Sequence, residues 1–164
     1  EKIRIYRLRI RKPEWMKNPT FIINGKEEEL VTDSSGYCLF DRVWAHDNKI
    51  VLKYSMKPYI ERLKKSDKYV ALLYGPYVLA GRFGKKNLPD SFWSTMNNTA
   101  RRELDLKEIP SLAYVADAVA DNLKVISRNP LRFSLPMNGT KEITIEPFYK
   151  IHFERYIIYW LTER

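Results

Sequence analysis

Short apolar–polar alternations recur from one end of the sequence to the other, each closed by turn residues. This constrains the fold more than any single motif. A period of two puts every second side chain on one face of a strand, and that face must be covered. KIRIYRLRIRK (2–12) sets Ile3 and Ile5 on one face and Leu8 and Ile10 on the next phase. The slip at Tyr6-Arg7 predicts a bulge or two short strands, with Arg4, Arg9 and Arg11 on the wet side. TFIING (20–25) ends on Asn24-Gly25, a hairpin signal requiring positive φ. DSSG (33–36) reads as a turn, and GYCLFDRVW (36–44) and KIVLKYSM (49–56) as strands. YVALLYGPYVLAGRF (69–83) is apolar on both faces and interrupted by Gly75-Pro76. It reads as two buried strands or one strand bent at Gly75-Pro76. LRFSLP (131–136), EITIEP (142–147) and ERYIIYW (154–160) complete the series.

Residues 84–111 break the pattern, being polar and carrying Pro89, Pro110 and Asn97-Asn98. Leu112, Val115, Val119 and Leu123 then recur at helical spacing, predicting a short helix. The expected fold is all-β, an antiparallel β-sandwich of jelly-roll type. Its main body would be 1–83 plus 143–164, with 84–142 an insertion or a small second sub-domain holding the helix.

A length of 164 residues suits one domain or two very small ones. The net charge is +9, and Lys2, Arg4, Arg7, Arg9, Arg11 and Lys12 supply much of it. Such charge raises nucleic acid as a partner, with steep salt dependence as its signature. A solvated strand face or a patch meeting another domain explains it more simply, and no nucleic-acid partner is expected. No stretch approaches the roughly 18 apolar residues of a membrane span. No leader is visible; the sequence opens on a strand at Glu1 without Met, as an excised piece of a longer protein would.

Chemistry is sparse. Cys38 is the single cysteine, which excludes an intrachain disulfide and a cysteine-based zinc site. Its apolar neighbours in GYCLF suggest a buried small hydrophobe. His46 and His152 show no metal-ligand spacing, the glycines form no phosphate loop, and no GxSxG elbow marks a nucleophile. Glycoside hydrolysis needs two carboxylates about 5–9.5 Å apart. Asp41, Asp47, Glu146 and Glu154 are available, but Asp41 and Glu154 stand beside arginines, so ion pairing is the default. Asn97 and Asn138 open glycosylation sequons. The tryptophans and tyrosines suit a core or a sugar-stacking platform.

The order IRKPEW (10–15), INGK (23–26), GYCLFDRVW, IVLKYSM (50–56), ALLYGPYVLAG (71–81) and PFYKIHFERYIIYW (147–160) resembles the non-catalytic C-terminal β-sandwich region of glycoside hydrolase family 127, the β-L-arabinofuranosidase family. The resemblance spans nearly the whole chain and is looser over 84–130. Lys12, Asp47-Asn48 and Ser55 depart from the pattern, at turns and on the surface.

The resemblance implies a parent with an (α/α)6 catalytic barrel, where a cysteine nucleophile lies near zinc. A metal-bound thiolate suits that role because the metal lowers its pKa. None of those catalytic residues has a counterpart here, so no catalytic, cofactor-binding or metal residue is expected in this chain. The implied role is an accessory domain of a bacterial polysaccharide-degrading hydrolase, with the barrel as partner and plant-derived glycans as substrate. A periplasmic or secreted parent would follow. The alternative is a carbohydrate-binding module using exposed aromatics. Trp15, Trp44, Tyr156 and Trp160 are the candidates for core or for the seam with the barrel. The final aromatic strand is expected to close the first sheet and bring the termini together.

Overall fold

The computed structural model describes residues 5–66, 68–85, 112, 116–138 and 140–162. The chain is all-β and antiparallel, as expected, but it forms two compact units, 1–57 and 58–164. The expected division at 83/84 and 142/143 gives way to this one. Strands on both sides of those points share one sheet, because hydrogen-bonded pairing is indifferent to the change in polarity along the sequence.

In the first unit, β1 (Tyr6–Arg11) pairs with β4 (Tyr37–Arg42). β2 (Lys17–Ile23) lies between β3 (Lys26–Glu28) and β5 (Ile50–Ser55). The two sheets meet over Phe21, Ile23, Cys38 and Phe40, with Leu8, Ile10, Ile50 and Leu52 packed around them. This is a miniature sandwich. The β1–β4 register runs unbroken from Tyr6↔Arg42 to Arg11↔Tyr37, so no bulge lies at Tyr6-Arg7. The phase slip arises because Ile5 precedes the strand and is exposed. Asn24 and Gly25 both take positive φ (52° and 83°), the signature of a type I′ hairpin. At the next turn, Asp33 Oδ1 accepts hydrogen bonds from the backbone N–H of Ser35 and Tyr37, so the side chain templates the loop.

The second unit holds β6 (Pro58–Arg62), β7 (Tyr69–Tyr74), β8 (Tyr77–Gly84), α1 (Ala116–Asn122), β9 (Lys124–Arg128), β10 (Leu131–Met137), β11 (Thr140–Pro147), β12 (Arg155–Ile157) and β13 (Tyr159–Leu161). The helix falls within the predicted region; Leu112 instead bridges to Met137, and Val115 lies outside the described residues. Gly75-Pro76 makes a two-residue hairpin joining β7 to β8, with Gly75 at φ 57°, rather than bending one strand. All eight strands form one curled sheet. Its inner face carries Val70, Leu72, Leu79, Phe133, Leu135, Ile145 and Trp160, all essentially inaccessible to solvent.

β7 and β8 pair only near their turn, from Leu72↔Leu79 to Tyr74↔Tyr77, and then diverge. The end of the chain fills the resulting fork. β12 runs in along β8 and β13 runs out along β7, reversing at Ile158. The final aromatic strand therefore closes the sheet of the second unit, not that of the first. Trp160 seats over Gly81: a Cβ there would stand 2.4 Å from the indole Cη2.

Candidate functional site

Two arginines on the basic face of β1 are paired locally. Arg7 makes a two-pronged bond to Asp41 at 2.7 and 2.6 Å, and Arg9 bonds Asp33 at 2.6 Å. Arg42 bonds Glu28. The register explains the first pair, since Arg7 stands opposite Asp41. The Arg7 hydrogen bond holds the Asp41 carboxyl below the usual carboxylate range. The Tyr37 backbone N–H, and then Arg9, do the same for Asp33. Guanidiniums so engaged offer little to phosphates.

Of the four carboxylates singled out in sequence, the second unit brings Glu146 and Glu154 together. Alternation sends Arg132, Ser134, Glu142, Thr144, Glu146, Ala80 and Arg82 to the outer face of the sheet. Arg82 Nε and Nη2 bond Glu154 at 2.9 and 2.6 Å, and Nη1 reaches Glu146 at 3.3 Å. Arg132, opposite Glu146 in register, donates its Nε to the same carboxylate. Ser134 donates to Glu142. The Arg82 guanidinium is pushed above its ordinary pKa, chiefly by Glu154. Side chains of Glu146 and Glu154 are 5% and 9% exposed, and both are clamped by arginine. Around this pair opens a recess of about 550 Å³ whose lining includes Arg82, Ile126, Arg132, Thr144, Glu146 and Glu154. Arg82, Arg132 and the recess were not singled out from the sequence.

His46 and His152 are both exposed and belong to different units. Among the described residues, no three His, Cys, Asp or Glu gather as a metal site. Cys38 is fully buried beside the Thr32 hydroxyl. That environment does not fit the zinc-bound cysteine centre of the implied parent, which needs several cysteines. Asn138 donates to the Leu112 carbonyl, whereas Asn97 lies outside the described residues. Trp160 is core. Trp44 is half-buried and donates its indole N–H to the Tyr6 carbonyl. Trp15 packs edge-on against Tyr54. Tyr156 is exposed and tilts over Phe148 at 4.8 Å. A second exposed pair, Tyr77 and Tyr149, meets at 5.6 Å.

The fold is that of a stretch of known glycoside hydrolases. One solved glycoside hydrolase superposes with a TM-score of 0.60 at 14% identity, over 98% of this chain and 28% of that one. A family 127 β-L-arabinofuranosidase from Geobacillus stearothermophilus T6 gives 0.53 at 15%, over 97% of this chain and 27% of that one. The chain thus spans little more than a quarter of either. No curated protein matches the sequence. Residues 59–162 match the family described as a domain of unknown function, and residues 2–56 match the one described as the middle domain of family 127 β-L-arabinofuranosidases. The chain belongs to the first of these families over its second unit, and its first unit makes it a relative of glycoside hydrolase family 127.

Proposed function

We propose that this chain is a non-catalytic accessory part of a family 127-like glycoside hydrolase, buttressing a separate (α/α)6 barrel. One observation carries the reading: the two family matches meet between residues 56 and 59, where the structure itself divides, at 57/58. Two modules defined by relatedness are thus the two modules defined by packing, and similar glycoside hydrolases continue well beyond them. Hydrolysis, the zinc and the cysteine nucleophile are assigned to the barrel, and an exported location to the parent. The first unit exposes Ile5, Tyr6 and Val43, apolar surface of the kind that meets another domain.

The test compares this chain with the product of its full gene on a chromogenic β-L-arabinofuranoside. Turnover by the full product and none by the chain alone is expected. Turnover by the isolated chain overturns the reading. A second reading, carbohydrate binding through exposed aromatics, has the Tyr77–Tyr149 pair in its favour. Glycan affinity lost in Tyr149→Ala would promote it.

A further inference from the structure

We infer that the recess on the outer face of the second unit is a binding site for a neutral sugar residue. Three features of its lining point there. The first is unspent hydrogen-bonding capacity. Arg132 engages Glu146 through Nε alone, and its two Nη groups have no partner among the described residues, nor does the Thr144 hydroxyl. These donors sit beside carboxylates already fixed in place by Arg82. Preorganised donors and acceptors side by side match adjacent hydroxyls, each of which gives and takes a hydrogen bond.

The second feature is mixed charge. Arg82 and Arg132 stand in the lining among Glu142, Glu146 and Glu154, and Lys124, outside it, reaches Glu142 at 3.7 Å. An anion finds no net attraction in such a lining, whereas a neutral ligand can use both kinds of group. The third is an apolar side chain. Ile126 lines the recess and is 56% exposed, offering a surface to the C–H face of a pyranose or furanose ring. The volume of about 550 Å³ lies within the range of small-ligand sites. This site is separate from the Tyr77–Tyr149 pair and involves no catalysis, so it stands or falls apart from the accessory role.

Titrating the isotope-labelled chain with D-galactose, D-glucose, L-arabinose and D-xylose, and with D-galacturonate as the charged counterpart of galactose, tests it by amide shifts. Saturable shifts centred on Ile126, Arg132 and Thr144 are expected with at least one neutral sugar, with galactose bound more tightly than galacturonate. Arg132→Lys keeps a cation beside Glu146 but loses the planar fork, and should weaken binding about tenfold, as loss of a charge-assisted hydrogen bond does. Thr144→Val, which leaves both arginines in place, should weaken it as well, and Lys53→Ala in the first unit should not. No saturable shift with any neutral sugar, tighter binding of galacturonate, or shifts unmoved by both recess variants would each overturn the inference.

Discussion

Two glycines show how differently one residue type can be required. Gly25 has nothing within 4 Å of a would-be Cβ, so its need is conformational. Gly25→Val should cost roughly 1–2 kcal/mol through left-handed backbone strain, read as a shift in urea midpoint. Gly81 is needed for space, because Trp160 occupies the volume a Cβ would take. Gly81→Ala should destabilise by about 1–3 kcal/mol, and a Trp160→Leu background should shrink that penalty, since the two positions share one volume. The first requirement is legible in Asn24-Gly25; the second is not, because Gly81 and Trp160 lie far apart in sequence. Asp33 and Asp41 give a pH signature. Their folded pKa values are depressed, so the stability they contribute is present above the unfolded value near 4 and is lost as pH falls through the folded values. Thermal midpoints should drop between about pH 5 and pH 3, and Asp33→Asn should flatten that drop.

Strands were legible wherever alternation and turn chemistry agreed, as in β2, β5, β10 and β11. β6 was missed: Pro58 opens it, and its short Pro-Tyr-Ile-Glu-Arg run scarcely alternates. β9 was missed because it exposes Val125 and Ile126, leaving no dry face to read. The recess was invisible for a related reason. Glu146 and Glu154 carry no mark of their partner Arg82, which is 64 and 72 positions away; only the pairing of β11 and β12 with β8 joins them. Among elements, the β12–β13 wedge matters most to the second unit, since it satisfies backbone groups on both arms of the fork and supplies Trp160. Trp160→Ala should cost about 3–5 kcal/mol. Ending the chain at Glu154 should abolish cooperative unfolding of the second unit, monitored by near-ultraviolet circular dichroism.

At the scale of the molecule, the division at 57/58 makes a clear statement about independence. The second unit has its own continuous sheet and core, so residues 58–164 expressed alone should unfold cooperatively. The first unit, with 57 residues and a core centred on four buried side chains, is near the size at which a domain is marginal and should unfold at lower denaturant. Polarity along the sequence suggests a main body with an insertion or a small second sub-domain at 84–142, whereas the fold follows strand partnership. The fork in that sheet also sets an order in time. Ribosomes deliver β7 and β8 early, yet Ala71 must wait for Tyr159, 88 positions later. Until then the nascent chain carries two splayed strands with bare edges, the kind of surface that recruits neighbouring chains. Slow translation across the intervening stretch would lengthen that exposure, so yield in a foreign host should depend on codon choice there and on chaperone supply.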